Sequence, residues 1–260
     1  MGKVKWVLLA VIASSVAVRA DDTATRLLFA DNGPVYVGGQ GLVTLEGVTG
    51  MFLNPTSGTL PSGQLTVQYC AAIRQQNDRN VIWNQPMVAY GITDWLQLGA
   101  FAVINDAASV TTAAGGPWLR VRVIKDEEWW PELSVGGIIR EGNSHLRRET
   151  VFLAGSKGFP INYTLLHEVR LHTGFRQLWQ DSDVNPADGS IVYVGGELGL
   201  PKNLYAIAEI SNRSAVYAHT PYAFGLQARL PQGFGFSLAG IQSGNDQGIG
   251  VYIGIGVNFL

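Results

Sequence analysis

From Gly248 to Phe259 the chain alternates without a break, with Ile249, Val251, Ile253, Ile255, Val257 and Phe259 on one side and Gly248, Gly250, Tyr252, Gly254, Gly256 and Asn258 on the other. Successive side chains of a strand point to opposite faces, so this pattern builds a strand with one wholly apolar face. Strands of roughly 9–11 residues with this alternation cross a bilayer, whereas strands of globular proteins usually stop at about 5–6.

The same period recurs at Leu65, Val67, Tyr69, Ala71 and Ile73, and again at Tyr222, Phe224, Leu226, Ala228 and Leu230. Weaker versions lie at 80–90, 94–105, 116–125, 132–142, 149–157, 162–173, 190–199, 203–211 and 233–243. No segment after residue 20 is a continuous apolar run of ~18 residues or more, so a spanning chain must be a closed barrel. The fold class is therefore all-β, a transmembrane antiparallel β-barrel of about 12 strands occupying residues 63–260. A soluble β-sandwich is the competing architecture, and it would have to bury the apolar face of the last strand against a second sheet.

The connections sort into two kinds, as short periplasmic turns and longer extracellular loops require. Tight turns are expected at 91–94, 126–131, Gly158-Phe159-Pro160, 200–203 and 230–233; looser loops are expected at 75–80, 105–115, 141–148, 174–189, 211–218 and 243–247. Tyr90, Trp95, Trp129 and Trp130 fall near strand ends, where aromatic girdles mark the membrane interfaces.

The chain begins with Lys3 and Lys5, an apolar run from Trp6 to Val18, and a small-residue site at Val18-Arg19-Ala20. Such a run is too short to anchor a helix and reads as a secretory signal peptide over residues 1–20, which directs the chain to the bacterial outer membrane. Its loss moves the formal charge from −2 to −5 by removing Lys3, Lys5 and Arg19, which argues against nucleic acid as a partner. Cys70 is the one cysteine, so there is no internal disulfide. Residues 21–62 precede the first clear strand and form a periplasmic extension, a plug in the lumen, or an added strand pair near 35–45.

If the apolar sets face lipid, the opposite faces carry Arg74, Arg120, Arg122, Arg140, Arg170 and Arg229 inward, with Glu168, Glu197 and Glu209. Ionisable residues at membrane depth belong in a lumen or beside a partner, and arginine rings favour anions. Two outcomes follow: a passive channel with a mildly basic lumen for small anionic solutes, or a barrel that arginine–glutamate pairs close. His167 falls on the lipid face, between Leu165 and Val169.

Hydrolytic chemistry needs a nucleophile within reach of a base. Ser144 beside His145, His172, and Ser214 with His219 are the serine and histidine candidates for an outer-membrane lipid hydrolase. Neighbours in a strand point to opposite faces, so none of these makes a pair by itself, and no enzyme is expected. No His, Cys or carboxylate cluster has metal-ligand spacing and no glycine-rich loop opens a helix, so neither metal nor cofactor is expected.

The closing residues Val251, Ile253, Ile255, Val257 and Phe259 resemble the C-terminal signal of bacterial outer-membrane proteins, with Leu260 as one extra residue. The resemblance implies insertion by the barrel-assembly machinery, with outer-membrane lipid as the surrounding partner. Gly47-Val48-Thr49-Gly50, Asn54-Pro55-Thr56, Leu60-Pro61, Gly63 and Leu65 resemble the opening of YjbH-type outer-membrane proteins, although the lipoprotein cysteine and the length of that family are missing. That second resemblance implies a lead-in to the first barrel strand and a polysaccharide as partner, in exopolysaccharide export or envelope structure.

Overall fold

The computed structural model of the chain describes residues 42–259 apart from 77, 108–109, 144–146, 182–186 and 231–232. The signal-peptide reading over 1–20, residues 21–41 and the final Leu260 lie outside the described residues. Two short strands, β1 (Leu42–Val43) and β2 (Thr49–Gly50), pair with each other as a hairpin. Twelve long strands follow: β3 (Leu65–Gln76), β4 (Arg79–Thr93), β5 (Leu96–Ala107), β6 (Val110–Ile124), β7 (Glu132–Gly142), β8 (Arg147–Tyr163), β9 (Leu166–Asp181), β10 (Ala187–Leu200), β11 (Leu204–Ser211), β12 (Tyr222–Arg229), β13 (Phe234–Gln242) and β14 (Gly250–Phe259).

These twelve form a closed antiparallel barrel in which each strand pairs with its neighbours in sequence. Pairing of β14 with β3, from Phe259 opposite Leu65 to Val251 opposite Ile73, joins the two ends of the sheet and leaves no edge. Closure gives every strand two hydrogen-bonded neighbours, the condition for a sheet in hydrocarbon.

The outer surface is apolar. Val67, Tyr69 and Ile73 of β3, Phe224 and Leu226 of β12, and Val251, Ile253, Ile255 and Phe259 of β14 are all exposed there. Tyr90, Trp129 and Trp130 are exposed near strand ends, Trp95 is half-buried, and His167 is exposed one residue after β9 begins, at a barrel rim.

Several strands outrun their sequence-based bounds. Gly158-Phe159-Pro160, expected as a turn, lies inside β8, and the reversal comes at 164–165. Proline removes a ladder donor and settles at irregularities; Pro160 borders a register shift between β8 and β9 that absorbs it. The loop expected from residue 174 begins only after Asp181, because Thr173–Gln180 stays paired with β10. Within the loops expected at 75–80 and 105–115, residues 75–76, 79–80, 105–107 and 110–115 are likewise strand.

Candidate functional site

Alternation with outward apolar residues decides which side chains enter the barrel. Ile73, Val123, Ile139, Leu171, Leu198 and Ile210 are exposed, so their neighbours Arg74, Arg122, Arg140, Arg170, Glu197 and Glu209 point inward. Arg120 and Glu168 share faces with Arg122 and Arg170 two residues along, and Arg229 is buried with its guanidinium on Glu197. These nine charged side chains lie on the inner face of the barrel wall, and the groups they meet there are chiefly the protein's own.

Residues 42–60 run through that interior. Leu42, Val43, Val48, Met51, Phe52 and Leu60 are fully buried and belong to one apolar cluster or its margin with wall residues Phe101, Trp118, Phe152 and Tyr252. The β1–β2 pair and turn bonds such as Thr44 N–H to Val48 O, Leu45 N–H to Phe52 O and Met51 N–H to Asn54 O supply part of the partners that buried N–H and C=O groups need. The wall provides others.

Arg120 of β6 donates to Thr49 Oγ1 at 2.9 Å, to Thr49 O at 2.6 Å and to Gly58 O. Glu209 of β11 accepts from the backbone N–H groups of Phe52 (2.7 Å), Leu53 (2.6 Å) and Asn54 (3.1 Å), and from Asn54 Nδ2 at 2.7 Å. Tyr193 donates to Pro55 O at 2.8 Å, Gln227 to Met51 O at 3.1 Å, Gln85 to Thr44 O at 2.6 Å and Tyr252 to Val43 O. Two charged side chains and four neutral ones therefore read the main chain of the segment, with the strength that ionised partners add.

The hairpin tip meets a different surface. The Glu46 carboxylate lies 3.1 Å from Arg176 Nη1, 3.9 Å from Arg140 Nη2 and in hydrogen-bond contact with Arg148. Burial alone would raise the Glu46 pKa, but Arg148, Arg176 and Arg140 outweigh it and hold the carboxyl well below the usual range. Arg140 also donates to Leu45 O at 3.2 Å and lies over the rings of Phe101 and Trp83, at 5.2 and 5.6 Å. Gly47 makes the turn at φ +88°, and any side chain there would strike the Phe101 ring.

Toward the other end of the barrel, charges pair within the wall. Arg229 and Glu197 form two 2.8 Å hydrogen bonds, His172 Nε2 lies 3.4 Å from Glu197, and Arg122 lies 3.3 Å from Glu132. Arg170 bonds Glu168 at 2.6 Å, and Arg74, near the opposite rim, reaches Asp246 at 3.3 Å. Ser57 of the inner segment joins this region through Glu132 Oε2 at 3.2 Å and Ser156 Oγ at 3.3 Å.

Of the hydrolase candidates, Ser144 and His145 lie outside the described residues. Ser214 and His219 sit in the 212–221 loop, where their backbones bond Tyr217 and Gly244. His172 does meet a serine: Nδ1 lies 2.7 Å from Ser156 Oγ because the two face each other in the β8–β9 register. Both are buried beneath Ser57, so the pair has no open face toward a substrate.

Sequence reasoning missed Glu46, Arg148 and Arg176. Arg176 continues the inward series Glu168, Arg170, His172, Gly174, which the loop expected from residue 174 cuts short. Arg148 was assigned to a loop for the same kind of reason, and Glu46 lies in a segment without periodicity.

No family model and no curated protein matches the chain. Solved structures do. A KdgM porin in complex with disordered oligogalacturonate aligns at TM-score 0.54 and 9% identity over 75% of this chain and 99% of that one. An outer membrane channel from Pseudomonas putida F1 aligns at TM-score 0.52 and 9% identity, over 77% and 97%. At such identity the likeness is one of fold: the chain has the twelve-strand barrel architecture of outer-membrane porins.

Proposed function

We propose that the protein is an outer-membrane channel of the porin type whose lumen is closed by its own residues 42–60. The observation that carries this reading is the burial of the wall's polar groups against that segment: Arg120, Gln85, Tyr193, Gln227 and Tyr252 are 0–1% exposed, and each donates to its backbone. A passive open pore would leave such groups in water. The arginines expected to select anions are engaged, so solute selection follows release of the segment. The tight-turn rim faces the periplasm in this reading, and residues 42–60 enter from that side. The enclosed Ser156–His172 pair gives no route to hydrolysis, so the role is transport rather than catalysis.

An anionic solute suits the wall once it is freed, and the fold likeness to a porin holding an oligogalacturonate, itself an acidic chain, agrees with that sign of charge. The second reading, a non-conducting barrel in exopolysaccharide export or envelope structure, is favoured by the same filled lumen and by the YjbH-like residues, which include the segment itself.

Planar-bilayer conductance separates the two. The full mature chain should show rare or small openings, and a chain lacking residues 42–60 should show frequent large ones with anion preference. Equal large conductance of both chains would refute closure by the segment, and silence of both would move the protein to the non-conducting role.

A further inference from the structure

Four inward arginines have a counter-ion on the barrel strands or their connections: Arg74 has Asp246, Arg122 has Glu132, Arg170 has Glu168 and Asp126, and Arg229 has Glu197. Arg120 instead bonds the backbone of the inner segment, and three others differ again. The ion pairs of Arg140, Arg148 and Arg176 among the described residues all end on Glu46, which belongs to the inner segment.

The register sharpens the point, because Arg140 and Arg148 stand directly opposite each other on β7 and β8. Like charges facing across a strand pair destabilise it unless an anion lies between them. Arg176, on the adjoining β9, adds a third guanidinium; the other titratable groups that face it are Tyr217, whose hydroxyl lies 3.4 Å from Arg176 Nη2, Tyr193, and Glu209, whose carboxylate is held by the backbone of Phe52, Leu53 and Asn54. Glu46 is the one carboxylate in ion-pair contact with these three guanidiniums among the described residues. Arg176 is 1% exposed, yet its Nε has no hydrogen-bond acceptor among the described residues. Buried N–H groups of this kind are seldom left unmatched. Solvent reaches the edge of the cluster, where the Arg148 and Glu46 side chains are 17% and 11% exposed.

We propose that Arg140, Arg148 and Arg176 form a carboxylate-binding site of the channel, and that Glu46 fills it as a tethered competitor of an anionic solute. The inference rests on the closed-channel reading and adds to it the ligand chemistry and the means of release. A solute carboxylate takes the guanidinium contacts that Glu46 holds, and the hairpin tip loses its attachment to the wall. A tethered group acts at an effective concentration of roughly millimolar or higher, so it masks the site from dilute solute.

The test is titration calorimetry on the full mature chain folded in detergent, with N-acetylglutamate as the probe and N-acetylglutamine as its neutral counterpart. Glu46→Gln should bind the acid at least about tenfold more tightly than the unaltered protein, because a masked site loses apparent affinity in proportion to its occupancy. The amide should not bind, and adding Arg176→Met to Glu46→Gln should abolish binding of the acid. Where that double variant fails to fold, Arg148→Gln at the more exposed edge replaces Arg176→Met and should weaken binding.

Equal affinity of Glu46→Gln and the unaltered protein, equal binding of acid and amide, or indifference to the arginine changes would overturn the site. Tighter binding of inorganic phosphate than of N-acetylglutamate would overturn its assignment to carboxylates. These outcomes stand apart from closure, which is judged by conductance of the shortened chain: large openings there with no gain in Glu46→Gln would leave the closed channel and remove the site.

Discussion

The inner segment is held at two places by opposite logic. At mid-lumen a wall carboxylate, Glu209, and a wall guanidinium, Arg120, grip the backbone of residues 49–58. At the hairpin tip the segment supplies the charge, and Glu46 is gripped by three arginines of the wall. Backbone recognition offers no side chain of the segment to titrate, whereas charge recognition can be screened, titrated or displaced. The contrast separates a fixed anchor from a latch that responds to its surroundings.

The largest effect is expected from breaking the fixed anchor. Glu209→Ala leaves the N–H groups of Phe52, Leu53 and Asn54 without their acceptor. Charge-assisted hydrogen bonds are worth about 1.5–3 kcal/mol, and the loss of several should speed exchange of those amides by roughly a hundredfold or more. Arg120→Met should come next, because methionine retains apolar volume beside Trp118 and Phe152 but removes three donated bonds. Amide exchange near Thr49 should quicken by about tenfold to a hundredfold, on the scale of one or two such bonds, while exchange in the barrel strands stays as it was.

The latch should give the smallest effect at neutral pH, and its own pH dependence follows from the Glu46 carboxyl. The Glu46 carboxyl titrates far below its ordinary value of 4.5 while the tip is docked, so its contribution is complete above that value. It is lost as pH falls below 4.5 toward the depressed value. The difference in bilayer openings between the unaltered protein and Glu46→Gln should therefore be constant between neutral pH and the ordinary carboxylate range, and should shrink only in stronger acid. Glu46→Gln should open more often than the unaltered protein at neutral pH, whereas a difference that is absent, or that persists unchanged into strong acid, would separate Glu46 from the latch.

The outer face of the barrel could be read in the sequence and the inner one only in part, for a physical reason. Lipid imposes one requirement on every second residue, so Val251, Ile253 and Ile255 announce their side without reference to any partner. The lumen imposes particular partners. Arg120 and Glu209 were recognisable as inward, yet nothing local to them says that they meet a backbone more than sixty residues away in sequence. Arg148 and Arg176 fall inside the loops expected at 141–148 and 174–189, into which their strands continue. Glu46 lies in a hairpin with two-residue strands, too short to show a period.

The most direct test of the account is hydrogen exchange at the backbone amides of Phe52, Leu53 and Asn54 in the full mature chain, folded in detergent and followed by mass spectrometry. If the wall holds residues 42–60 inside the lumen, these amides exchange far more slowly than in the isolated peptide, and Glu209→Ala releases them while the barrel strands remain protected. Exchange at the rate of the free peptide in the unaltered protein would contradict the account, because a segment in open contact with water cannot be what closes the barrel.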